Sequence, residues 1–225
     1  MARVIVVGSI NQDVTVTVDR FPAPGETLSG SSLTYGLGGK GANQAAAAAR
    51  SGIPTLFVGA VGTDLAGHSL RTHLAAHGVD VTHLREVDSP SGTALITVAA
   101  SGENTIILDA GANRASSIAH AKASLFPAPS DIVVLQAEIP PAANAAAIEW
   151  AHSFGARVLL NLAPARATDP TTLSRVDILV VNETEAGLTL GMPAPATPTE
   201  AIGVARALRG MGPRHVVVTL GAQGA

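Results

Sequence analysis

The residues best placed for chemistry lie between Tyr35 and Arg50, where the chain reads YGLGGKGANQAAAAAR. Gly36, Gly38, Gly39 and Gly41 crowd around Lys40, and Ala42, Asn43 and Gln44 lead into an alanine run with no helix breaker before Gly52. A bare-backbone loop that opens a helix presents unpaired N–H groups, the positive end of the helix dipole and, here, a mobile ammonium. Such a loop suits anions and hydroxyls. It does not match a Walker A loop, which needs glycine six residues before the lysine and Ser or Thr directly after it; Thr34 and Gly41 stand there instead. Gly36, Gly38 and Gly41 do have the G-x-G-x-x-G spacing of a dinucleotide loop, with Asp64 about 20 residues on. That fingerprint follows a buried apolar strand, whereas the segment before this loop, ETLSGSSLT, is polar and predicts no such strand.

The other candidates are polar side chains where apolar runs end. Val4–Val7 is a short β-branched run closed by Gly8, as in a strand buried on both faces, and Asn11 and Asp13 follow it directly. Further along, Glu138, Asn161, Asn182 with Glu185, and Thr219 close other runs of the same kind. Each alone reads equally well as a turn residue or a helix cap. Together they would fall along the carboxyl edge of one sheet, where open α/β folds bind ligands.

Positioning these groups requires strands and helices in alternation, and the pattern supplies them. Strands are expected over 56–61, 79–84, 131–136, 157–161, 177–181 and 216–220, with helices over 65–77, 142–152 and 199–209. This is the rhythm of an α/β fold, a doubly wound and mainly parallel sheet with helices on both faces, spanning residues 1–225 as one domain. Residues 14–18 (VTVTV) alternate as a half-exposed strand does, and residues 92–109 read as a hairpin around Ser-Gly-Glu-Asn. They predict a small antiparallel β flap, a lid formed by about 11–34 and 92–110 that would exclude water from a site below; the alternative is an ordinary edge hairpin.

Composition removes several function classes. The chain has no cysteine, so disulfides, thiolate metal sites and cysteine nucleophiles are excluded, and a reducing cytoplasm is the expected compartment. A net charge of −3 and 3 % aromatic residues offer neither a basic surface nor stacking platforms for nucleic acid. No apolar stretch reaches the roughly 18 residues of a membrane span, and the first apolar run ends without a cleavage site, as a first strand would. His73 and His77 have metal-ligand spacing, but HLAAH lacks the glutamate of a zinc protease motif. No G-x-S-x-G elbow occurs.

Four segments, GSINQD from Gly8, GGKGANQA from Gly38, NETEA from Asn182 and TLGAQGA from Thr219, together resemble the ribokinase-like (PfkB-type) carbohydrate kinase family, in order and in spacing over the whole chain. The first two are most similar to its ribose-phosphorylating members. The resemblance implies ATP-dependent phosphorylation of a sugar, D-ribose first, with Mg²⁺ and a monovalent cation, K⁺, as cofactors. It implies that Asn11, Gln12 and Asp13 bind the sugar together with Gly39, Lys40, Gly41, Ala42, Asn43 and Glu138. It places the nucleotide at Asn182 and along Thr219, Leu220, Gly221, Ala222, Gln223 and Gly224, with Glu185 associated with Mg²⁺ and the phosphates. The partners it implies are the sugar, ATP and a second copy of the chain joined through the lid, with no nucleic acid and no membrane.

One part of the family pattern is absent. The Gly-Ala-Gly-Asp segment that carries the family's catalytic base and anion hole does not occur in residues 1–225. The expectation is therefore an incomplete chain, with the base and the cation ligands beyond Ala225 and no activity from residues 1–225 alone. A non-catalytic sugar-binding or regulatory remnant of the same fold is the alternative, as are a fructokinase or a nucleoside kinase. One Trp and one Tyr are few for stacking a purine.

Overall fold

The computed structural model describes residues 2–166 and 168–225. In chain order, β1 (Val4–Val7), β2 (Asn11–Val18) and β3 (Ser32–Gly38) are followed by α1 (Lys40–Arg50), β4 (Thr55–Gly62), α2 (Leu65–Ala76) and β5 (Asp80–Val87). Next come β6 (Gly92–Ala99), β7 (Asn104–Asp109), β8 (Ile132–Gln136), α3 (Pro141–Ser153) and β9 (Arg157–Asn161). The chain continues with α4 (Pro170–Leu173), β10 (Ile178–Asn182), α5 (Glu183–Leu190), α6 (Pro198–Gly210) and β11 (His215–Thr219). No helix among the described residues is long and apolar enough to cross a membrane.

Seven strands form a parallel sheet in the order β11-β10-β9-β8-β1-β4-β5. Side chains alternate across a strand, so β1 feeds both layers: Ile5 and Val7 join the cluster under α3, while Val6 joins the one under α1 and α2. All three are fully buried, which is why the run is β-branched throughout and not alternating. Helix α1 presents Gly41, Ala42, Ala45 and Ala46 to the sheet, a face small enough to sit close on it. After β1 the chain builds outward through β4 and β5, then returns to the other side of β1 with β8 and builds outward again. The carboxyl ends of β1 and β8 thus flank a reversal of strand order, the place where open α/β sheets bind ligands.

The lid is a separate four-stranded sheet, β3-β2-β6-β7. Its outer pairings are antiparallel as expected, but the central pair, β2 with β6, is parallel. The reason is connectivity. Both strands leave the carboxyl ends of main-sheet strands, β2 from β1 and β6 from β5, so they rise in the same direction. Strand β3 was not foreseen in the polar segment before Lys40. An edge strand of a lid has little apolar surface to bury, so Ser32–Gly38 needs no apolar run to pair with β2. Asn11 and Asp13, whose place after β1 suits either a ligand contact or a turn, belong to β2.

At the opposite end of the sheet the start of β1 is fastened to the start of β8. Asp131, whose side chain is fully buried, accepts hydrogen bonds from Arg3 N (2.8 Å), Arg3 Nε (3.1 Å), Arg3 Nη2 (2.7 Å) and Ala128 N (2.9 Å). Burial pushes its carboxyl up, but Arg3 and the backbone donors outweigh burial and hold it below the usual range. A carboxyl lowered on folding stabilises the protein above its unfolded pKa of about 4, and that stability is lost as pH falls through the folded value. Asp131→Asn is expected to cost about 1–3 kcal/mol at neutral pH and to flatten the acid limb of the stability curve. Urea titrations at pH 7 and at low pH check this; equal losses at both would show that the charge is not what Asp131 contributes.

Candidate functional site

The first turn of α1 sets the site. Gly39 has φ 86°, and a Cβ there would lie 2.9 Å from Ile10 Cα; one on Gly41 would lie 2.7 Å from Ser9 N. Glycine is required because the helix start lies against the backbone leaving β1. Its N–H groups are not left open, as the loop had been expected to leave them. Lys40 N donates to Glu138 Oε2 (2.9 Å), Gly41 N to Ser9 Oγ (3.2 Å) and Ala42 N to Ser9 O (2.9 Å). Ser9 Oγ in turn donates to Glu138 Oε2 (2.6 Å). A carboxylate and a hydroxyl at the positive end of a helix are stabilising, and here they come from 98 and 32 residues away, out of reach of a sequence motif. Glu138 therefore caps α1 with one oxygen and keeps Oε1 without a protein partner among the described residues. Lys40 is half-buried, and Asn43 stands exposed one turn of chain further on.

The lid brings its polar face to this floor. Asn11 and Asp13 alternate onto one face of β2, opposite Gly38 and Gly36 of β3 and Gly92 and Ala94 of β6. A Cβ on Gly38 would fall 2.0 Å from Asp13 Oδ1, so that glycine makes room for the carboxylate. Gln12, expected beside them in the site, alternates to the opposite face with Val14 and pairs with Leu37 and Thr93. Asp13 has no hydrogen-bond donor among the described residues. Its pKa is raised, first by burial and then by the charge of Glu138. Two carboxylates near enough for their charges to interact, one on the lid and one on the floor, thus keep oxygens to which no described residue donates, and a molecule rich in hydroxyls can supply those donors.

From Lys40 a cleft of about 450 Å³ extends along the strand ends, lined also by Gln44, Asn161, Asn182, Glu185 and Thr219. Its wall is a ladder of amides: Gln136 Nε2 donates to Gln44 Oε1 (2.7 Å), Gln44 Nε2 to Asn161 Oδ1 (3.1 Å) and Asn161 Nδ2 to Val180 O (3.2 Å). At its far end Asn182 and Glu185 form a reciprocal cap on α5, a helix that sequence patterning had not marked. Glu185 N donates to Asn182 Oδ1 (2.8 Å), and Asn182 N to Glu185 Oε2 (2.9 Å). Glu185 Oε1 remains without a protein partner among the described residues. Among the described residues no group of three or more His, Cys, Asp or Glu side chains could hold a metal ion; the one unused carboxylate oxygen, Glu185 Oε1, is a donor that a cation such as Mg²⁺, which keeps most of its waters, can use. Beyond Thr219 the chain turns, closed by Leu220 N donating to Gly224 O (2.7 Å); Leu220 is buried in the core, while residues 221–225 are exposed.

Asp64, the acidic residue that a dinucleotide loop would have used, instead caps α2 by accepting from Gly67 N (2.8 Å), Ser91 N (2.8 Å) and Ser91 Oγ (2.6 Å). Two residues escaped the sequence reading. Ser9 lies inside the GSINQD segment, but only the fold shows it facing Glu138. Asn113 lies over 100 residues from the strand it serves.

The family model for pfkB family carbohydrate kinases matches residues 1–225. Ribokinase of Haemophilus influenzae is 39 % identical over 221 residues, which is 97 % of this chain and 72 % of the relative. The structure of Giardia lamblia ribokinase aligns with a TM-score of 0.87 at 32 % identity, covering 99 % of this chain and 70 % of that one. Arabidopsis thaliana ribokinase, solved with ribose and ATP, aligns with a TM-score of 0.84 at 33 % identity, covering 98 % and 73 %.

A carboxyl raised on folding contributes stability that is present below its unfolded pKa and lost as pH rises through the folded value. Asp13 is such a group, so at neutral pH its charge works against the fold. Asp13→Asn is expected to raise the melting temperature of the ligand-free protein at pH 7 and to leave it unchanged near pH 3. A lower melting temperature at pH 7 would mean that Asp13 is satisfied by donors in the free protein.

Proposed function

The chain belongs to the pfkB family of carbohydrate kinases, and from that premise we propose that it serves the ATP-dependent phosphorylation of a sugar, D-ribose to D-ribose 5-phosphate before any other. The observation that carries this reading is the pair Asp13 and Glu138, carboxylates with unused oxygens on the two sides of one space. Amides and carboxylates suit polyols, because each can take hydroxyl protons that a buried anion otherwise lacks. The sugar sits between the lid residues Asn11 and Asp13 and the floor made by Gly39 to Asn43 with Glu138. ATP occupies the cleft from Lys40 toward Asn182, with its base end at the turn Thr219 to Gly224. Glu185 would hold Mg²⁺, and that ion would neutralise phosphate charge.

Phosphoryl transfer asks little covalent chemistry of a protein and much positioning. Lys40 joins the two halves of the site: its backbone N–H is bound to Glu138 of the sugar floor while its side chain lines the nucleotide cleft. No Gly-Ala-Gly-Asp segment occurs in residues 1–225, and binding and orientation are what we assign to the residues named above. The lid's outer face carries Leu33, Tyr35, Leu95 and Ile107, between 52 % and 71 % exposed, and we assign that face to a second copy of the chain.

Calorimetry with D-ribose, D-fructose, adenosine and ATP–Mg²⁺ tests the assignment. D-ribose and ATP–Mg²⁺ are expected to bind, and Asp13→Ala to weaken ribose by about 1–3 kcal/mol through the hydroxyls it leaves unpaired. Ribose binding without nucleotide binding would favour a regulatory sugar module, and adenosine binding without ribose a nucleoside kinase. For the dimer, sedimentation is expected to give two copies at micromolar concentration and one copy for Ile107→Lys. A monomer in both cases would remove the lid face as an interface.

A further inference from the structure

Asn113 lies in the short turn Gly111–Ala115 that follows the lid's last strand, and it is 1 % exposed. Its side chain reaches the link between β1 and β2. Ile10 N donates to Asn113 Oδ1 (2.9 Å), while Asn113 Nδ2 donates to Ile10 O (3.2 Å) and to Asn11 Oδ1 (2.7 Å). A backbone N–H can only donate, so Ile10 decides which end of the Asn113 amide is oxygen. The other end must then be the NH₂ group, and it faces Asn11. That contact decides the orientation of the Asn11 amide in turn: its oxygen is held by Asn113, and its own NH₂ has no acceptor among the described residues, on the lid face it shares with Asp13. Gly92 seals the arrangement, since a Cβ there would fall 2.2 Å from Asn113 Nδ2 and 2.3 Å from Asn11 Oδ1.

We propose that Asn113 is a positioning residue for substrate: by fixing the amide orientation of Asn11, it makes Asn11 a hydrogen-bond donor to a sugar hydroxyl. This rests on the sugar reading above and adds a polarity to it. Asp13 and Glu138 accept from the sugar, and Asn11 gives to it. The site therefore selects a hydroxyl that can accept from Asn11 in addition to those that donate to the carboxylates.

The substitution Asn113→Asp reads this polarity. The new carboxylate still accepts from Ile10 N but turns an oxygen toward Asn11 Oδ1, so the Asn11 amide must flip and offer its oxygen to the sugar. D-ribose affinity measured by calorimetry is expected to fall about tenfold or more, with ATP–Mg²⁺ affinity unchanged. On an Asn11→Ala background the same substitution is expected to change ribose affinity less than about twofold, because the two act through one contact. Equal losses on both backgrounds, or full ribose affinity in a folded Asn113→Asp protein, would overturn the proposal. Should the variant not fold, the side-chain amide spectrum of the unsubstituted chain decides. Ribose is then expected to shift the Asn11 NH₂ resonances and leave those of Asn113 in place; unshifted Asn11 resonances would overturn it. No ribose binding by the unsubstituted chain, visible before any substitution, would remove the sugar reading and this inference together.

Discussion

The contact between the first turn of α1 and the backbone leaving β1 is the constraint on which the rest of the site depends. Main chain meets main chain at Gly39 and Gly41 with no room for a Cβ, so glycine is required on the helix side. That closeness brings Ser9 and Glu138 within reach of the helix N–H groups, where the dipole favours them. It also fixes where Lys40 starts. The point from which the Lys40 side chain extends is set by packing, not by a flexible loop.

The electrostatics of the site divide by which carboxylates have donors. Asp131, Asp64 and Glu185 are each met by N–H or O–H groups and hold the scaffold together. Asp13 has none among the described residues, and its burial beside Glu138 is unfavourable until something supplies protons to share. Sites built for tight recognition often carry such local frustration, because a group fully satisfied by its own protein has nothing left for a ligand.

Much of the main sheet was legible in the sequence, because its strands are buried on both faces and so appear as unbroken apolar runs. Val4–Val7 and Arg157–Asn161 fall where the pattern predicts them, and the other parallel strands do so within a few residues. The lid was harder to read. Its strands are half-exposed, so apolar periodicity says little about which of them pair or in which direction, and the parallel union of β2 with β6 depends on where each leaves the main sheet. The glycine loop was located but misjudged, since residues distant in sequence occupy the N–H groups it had been expected to offer. Gln12 is parted from Asn11 and Asp13 for a simpler reason. A contiguous motif in a strand puts every second residue on the opposite face.

The parallel pairing of β2 with β6 begins with Asn11 opposite Gly92, so the two crossings from the main sheet into the lid stand side by side at one level. The chain also leaves the lid at this level, from Gly38 into α1 and from Asp109 into the turn at Gly111, so all four crossings lie in one row along one end of the small sheet. Asn11 stands in that row and Asp13 two residues along the strand from it. The polar side chains of the lid are thus carried where its backbone is most constrained, and its free outer end bears none of the candidate residues.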